Sequence, residues 1–241
     1  EDADSNLYWT DDNITWNTVL TGGTGSGIGF YLDTSSFRNF ISNNVITAKS
    51  NWSLNYGMYI TSTVGSNNIT GNTITTNGTS SNYGIYLFLA AFNNTVYNNT
   101  IRTDGNSSGN YGIVINNARE NNVTSNTITT GGTASGVGIF VQQSNRNLFF
   151  SNTITPKAGG SGNEGIHVAT SCNENNLSNN IIITNGTNTN YGISAFPGTI
   201  DGDRAGARRL HVLRGRHTPE SSRQKNKIAP SRTGREYGQG N

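Results

Sequence analysis

YGIYLFLAAFNNTVYNNTIRTDGNSSGN, residues 83–110, decides the fold. Three short apolar runs alternate with turns of Asn, Gly and Ser. The pattern returns at residues 111–136, YGIVINNARENNVTSNTITTGGTASG, and again at 137–163, VGIFVQQSNRNLFFSNTITPKAGGSGN. Two columns measure its period. Asn17, Asn43, Asn72, Asn99, Asn126, Asn152 and Asn180 recur every 26–29 residues, each two residues before a Val or Ile. Gly29, Gly57, Gly84, Gly112, Gly138, Gly165 and Gly192 recur every 26–28. A fixed period in this range marks a repeat architecture.

No copy has room for a ten-residue helix, and β-branched and apolar residues alternate with period 2. Alternation turns Phe30, Met58, Ile85, Ile113, Ile139, Ile166 and Ile193 to one face. Leu32, Ile60, Leu87, Ile115, Val141, Val168 and Ala195 share that face. A third inward column reads Phe40, Ile69, Val96, Val123, Phe149 and Leu177, and a fourth Val19, Val45, Ile74, Ile101, Ile128, Ile154 and Ile182. Like residues at like phase stack best when each copy is one turn of a coil. The expectation is an all-β parallel β-helix of about seven coils, with rungs about 4.8 Å apart. A single coil cannot offset its own ordering entropy, so stability comes from stacking. The Asn column suits a left-handed bend between strands and an amide ladder between rungs; a ligand role is the alternative.

On YGIYL at 83–87, NNTVYNNTI at 93–101 and NNVTSNTI at 121–128, the chain resembles the right-handed parallel β-helix repeat proteins, including the NosD-like and pectate-lyase-like families. The resemblance spans residues 13–196 and implies a right-handed coil, in line with the crossover rule. It also implies proteins that bind or process polysaccharides outside the cell, an analogy at the level of fold. The NosD resemblance suggests copper, whose ligands are His, Met or Cys. The repeat region holds only His167, Met58 and Cys172 of these, with Met58 facing inward. No metal site and no cofactor are read.

Composition divides the chain. Of 241 residues 12% are charged and the net charge is +2. Residues 1–203 carry 6 basic and 12 acidic residues, net −6; residues 204–241 carry 10 and 2, net +8. The expected domains are an edge or cap at 1–12, the β-helix at 13–196 and a basic, irregular tail at 197–241. The tail reads as disordered, as a reading-frame artefact, or as an arm for polyanions; nucleic acid is not the expected partner. The chain begins at Glu1, without a visible signal peptide, like a processed or truncated end, and no apolar run reaches membrane length. Asp11 and Asp12 read as a solvated turn. Cys172 stands alone, so no intrachain disulfide forms.

Function is less legible. Between the inward residues of the Gly strand lie Tyr31, Tyr59, Tyr86, Val114, Phe140, His167 and Ser194. Tyr31, Tyr59, Tyr86 and Phe140 are the candidate contacts for a glycan, because sugar faces bury well on aromatic rings. Strand preference and packing between rungs explain the same residues without a ligand. A second set, Tyr56, Tyr83, Tyr111, Val137, Glu164 and Tyr191, is expected at the loop edge. The loops before each Gly should line one edge, and binding faces of repeat proteins often sit there. Asn51, Asn77, Asn106 and Asn185 are sequon residues in those loops and candidates for glycosylation. Glycoside hydrolysis needs two carboxylates about 5–9.5 Å apart. The acids are scattered, and Glu164 with His167 is the best catalytic pair, a surface histidine being the plainer reading.

The reading is a non-catalytic extracellular or cell-surface protein with a glycan-binding or adhesion face. The alternatives are a polysaccharide lyase, hydrolase or epimerase, and a structural protein that self-associates through open helix ends.

Overall fold

The computed structural model describes residues 10–196, apart from 52–53, 108, 134, 161 and 188, and the backbone of His211–Val212. Seven coils form three sheets in which every strand pairing is parallel. The first sheet runs from Asn13–Thr15 to Asn176–Ser178, in strands of three residues. The second runs from Thr18–Gly23 to Ile181–Ile182, where His211–Val212 adds an eighth strand. The third, with the longest strands, runs from Ile28–Leu32 to Asn190–Ala195. No helix occurs among the described residues. The proposed cap lies outside the described residues as far as residue 9, as does the tail except for His211–Val212.

The core is a set of axial columns, because each coil repeats the phase of the last. Met58, Ile85, Ile113, Ile139 and Ile166 form one fully buried column, and Ile60, Leu87, Ile115 and Val141 another. The second coil corrects the expectation by one residue. Ile41, not Phe40, pairs with Ile69, and Ile46, not Val45, pairs with Ile74. Ile41 and Ile46 are fully buried, while Phe40 and Val45 are 37% and 47% exposed. A one-residue slip reverses every side chain, and only the observed register buries both isoleucines.

The same slip moves the Asn column. The ladder is Asn17, Asn44, Asn72, Asn99, Asn126, Asn152 and Asn180, with Asn43 outside it. Each ladder Asn donates its backbone N–H and its Nδ2 to the Oδ1 of the next. For Asn72 on Asn99 the distances are 2.9 and 3.0 Å. The left-handed bend falls on the expected Asn43 in the second coil and one residue before the expected Asn in the others, on Trp16, Gly71, Asn98, Ser125, Ser151 and Asn179. Two more ladders were not read from the sequence. Asn39, Asn67, Asn94, Asn121, Asn147 and Asn175 form one before the first sheet. Asn55, Asn82 and Asn110 form the other, before the third. Buried amides bonded to one another satisfy backbone groups that the corners would otherwise strand.

The Gly column has a steric cause. A Cβ on Gly84 would lie 2.5 Å from the Gly112 carbonyl oxygen and closer still to Ile101 Cγ2. The third sheet therefore touches the second through bare backbone. Cys172 is fully buried in the core, and burial pushes its thiol up.

Candidate functional site

The outer face of the third sheet carries the aromatic residues. In every coil the pairing skips the glycine, as from Tyr56↔Tyr83 to Met58↔Ile85. Gly57 and Met58 are consecutive and both buried. Tyr56 and Tyr59, on either side, consequently share the outer face and stack at 5.1 Å. Tyr56, Tyr83 and Tyr111 thus belong to the face rather than to the loop edge expected from sequence.

The rings form one continuous strip. Tyr31 stacks on Tyr59 at 5.4 Å, Tyr59 on Tyr86 at 5.3 Å, Tyr83 on Tyr111 at 5.2 Å and Tyr111 on Phe140 at 5.4 Å. His167 continues it, 5.2 Å from Phe140 and 5.7 Å from Phe196. Val114 and Val137 are buried, and the Tyr111–Phe140 contact bridges their positions. Ring faces are largely occupied by neighbouring rungs, so the strip offers edges and phenol oxygens. Tyr31, 54% exposed, keeps more open surface. Its hydroxyl donates to Asp33 Oδ2 at 2.8 Å, and burial together with that bond pushes its pKa up to about 12. Burial also raises Tyr56, Tyr83, Tyr86 and Tyr111. For Asp33 burial acts upward, but bonds from the Thr34 N–H and the Tyr31, Ser62 and Thr34 hydroxyls outweigh it and hold the carboxyl below its usual range.

At the sixth coil both outward columns become ionisable, with His167 following Phe140 and Glu164 following Val137. Glu164 Oε2 contacts His167 Nδ1, and Ser194, one coil on, donates to the same Oε2 at 2.7 Å. Ser194 Oγ lies 3.2 Å from His167 Nδ1. The structure brings Glu164 and His167 together and adds Ser194, which the sequence listed only as a neighbour in the column. A nucleophilic triad would place serine and carboxylate on opposite imidazole nitrogens. Here both meet Nδ1, so Ser194 is not activated. The carboxylate contact at Nδ1 instead orients the imidazole, as a positioned base would require.

The loop edge holds a polar groove of about 520 Å³. Lys49, Asn51, Asn77, Thr79 and Asn106 line it, with Gly23 and Gly78 among the walls. Three sequon residues, Asn51, Asn77 and Asn106, therefore share one groove, and Asn185 is exposed in the loop after Ile181–Ile182. Thr79 Oγ1 donates to the Asn51 carbonyl at 2.7 Å, and Thr133 Oγ1 to that of Asn106. Asp11, expected as a solvated turn, forms a two-point ion pair with Arg38 at 2.6–2.7 Å across one coil.

Residues 80–197 match the family model described as periplasmic copper-binding protein (NosD). Neither the curated proteins nor the solved structures gave a match. The matched segment holds the Asn column from Asn99 and the Gly column from Gly84, and a periplasmic family is consistent with an extracytoplasmic location. No helix among the described residues is long and apolar enough to cross a membrane. By its repeat and its coiled architecture this chain is a parallel β-helix protein, similar over residues 80–197 to the NosD family.

Proposed function

We propose that the chain is a non-catalytic extracellular or cell-surface protein whose third sheet presents a glycan-binding face, with Tyr31, Tyr59, Tyr86 and Phe140 as contacts. The observation that carries this reading is the unbroken aromatic strip from Tyr31 to His167 on an outer surface, joined between Tyr86 and Tyr111 through Tyr83. An extended glycan would follow the coil axis, meeting ring edges and phenol hydroxyls along the strip and the more open ring of Tyr31 at its end. Aromatic edges with a polar tip suit a ligand whose rings alternate apolar faces and hydroxyls. Calorimetric titration of the full chain against a panel of oligosaccharides tests it. Binding that weakens at least tenfold in Tyr59→Ala/Tyr86→Ala supports the face, and unchanged binding overturns it.

The oriented Glu164–His167 pair favours a second reading, a polysaccharide-active enzyme in which His167 Nε2 takes a proton from a sugar hydroxyl or from water. Turnover lost in Glu164→Gln would support it, and no turnover by the unsubstituted chain across a polyuronate panel would remove it. Copper, named for the matched family, has no matching donor set among the described residues. Met58 and Cys172 are buried in the core, His167 is on the outer face, and no cluster of three or more His, Cys, Asp or Glu occurs among the described residues.

A further inference from the structure

We infer that the loop-edge groove is a separate subsite for an acidic saccharide, a hydroxyl-rich ring bearing one carboxylate or sulfate. The inference rests on the glycan reading for its hydroxyl-rich part and places the anionic part on a different surface. Six cations lie in the described coils. Arg38, Arg102, Arg119 and Arg146 are each tied to a carboxylate, at 2.6, 2.6, 3.4 and 3.5 Å. Lys49 and Lys157 form no ion pair among the described residues, and Lys49 is the one that lines the groove.

What surrounds Lys49 there is neutral. Asn51, Asn77, Asn106 and Thr79 are among the residues that line the groove, and no Asp or Glu is among them. Asp104 follows Asn77 one coil on, but Arg102 holds it at 2.6 Å. An ammonium without a counter-charge attracts an anion, and amides and hydroxyls supply donors and acceptors to sugar hydroxyls. Glycines at Gly23 and Gly78 keep the walls free of side chains. The groove draws on four successive coils, so at about 4.8 Å per rung it matches a short oligosaccharide lying along the axis. Its loops lead into the strands that carry Tyr56, Tyr83 and Tyr111.

The test titrates the full chain with trigalacturonate, a sulfated disaccharide and neutral cellotriose, at low and high salt. Binding of an acidic probe, but not cellotriose, that weakens with salt is expected. Lys49→Gln should weaken it about tenfold, the size of one charge-assisted hydrogen bond at an exposed site, and Lys49→Arg should restore most of it. Equal binding of cellotriose, no binding of either acidic probe, or indifference to Lys49→Gln overturns the subsite. The Tyr59→Ala/Tyr86→Ala variant separates the two readings. Loss there with Lys49→Gln unaffected keeps the outer face and removes the groove, and the converse keeps the groove and removes the outer face.

Discussion

Replacing Asn99 by Ala tests the amide ladder at its centre. The side chain is 1% exposed and makes four contacts. Its Oδ1 accepts from the Asn72 N–H at 2.9 Å and from Asn72 Nδ2 at 3.0 Å. Its Nδ2 donates to the Ile69 carbonyl at 2.8 Å and to Asn126 Oδ1 at 3.0 Å. Asn72 Nδ2 keeps a bond to the Ile41 carbonyl, and Asn126 Oδ1 keeps the Asn99 N–H. The substitution therefore strands chiefly two buried backbone groups, the Asn72 N–H and the Ile69 carbonyl. At about 1–3 kcal/mol for each unsatisfied group, the expected loss is about 2–6 kcal/mol. The control is Asn98→Ala, one residue away. Asn98 is exposed and left-handed at φ 53°, so Ala there costs about 1–2 kcal/mol through backbone strain alone. Urea unfolding followed by circular dichroism reads both. Repeat arrays can depart from two-state unfolding, so midpoints are compared. Equal midpoints for the two variants would refute the ladder as a stabilising element.

Three further outcomes follow from the geometry. Gly84→Ala forces a Cβ into Ile101 Cγ2 and the Gly112 carbonyl, so about 1–3 kcal/mol should be lost in the same assay, with a double-mutant cycle against Ile101→Ala revealing the coupling. The Thr103 hydroxyl is buried with no hydrogen-bond partner, as are those of Thr76 and Thr130, so Thr103→Val should stabilise by about 1 kcal/mol; a loss of stability would mean that the hydroxyl is satisfied. Tyr31, Tyr56, Tyr83, Tyr86 and Tyr111 hold their protons more tightly folded than unfolded, so their contribution to stability is intact below about pH 10 and lost as pH rises through the raised folded values. A tyrosinate absorbance titration should show a group ionising late and together with unfolding; complete ionisation of all tyrosines near pH 10 with the fold intact would contradict it.

The sequence disclosed what depends on phase and concealed what depends on exact register. Inward columns such as Ile85 and Ile113 are legible because like residues stack on like. In the second coil, Phe40-Ile41, Asn43-Asn44 and Val45-Ile46 each satisfy the pattern in either of two phases, so the reading slipped by one. The further ladders left a signal in the recurrence of Asn67, Asn94 and Asn121 at intervals of 27, matching the first column's period. Tyr56 was placed at the edge because strict alternation does not anticipate two consecutive inward residues at Gly57 and Met58. Ser194 joined Glu164 only once the coils were stacked, since the two are 30 residues apart.

Hydroxyl-radical footprinting of the full chain, with and without the tightest-binding oligosaccharide of the panel, tests the central claim most directly, because it reads side-chain access ring by ring. The account expects protection of Tyr31, Tyr59, Tyr86 and Phe140, with Tyr97 and Phe150 on the first sheet unchanged as internal controls. Protection of Tyr97 and Phe150 instead, or no change at the four rings while ligand is bound, would contradict it.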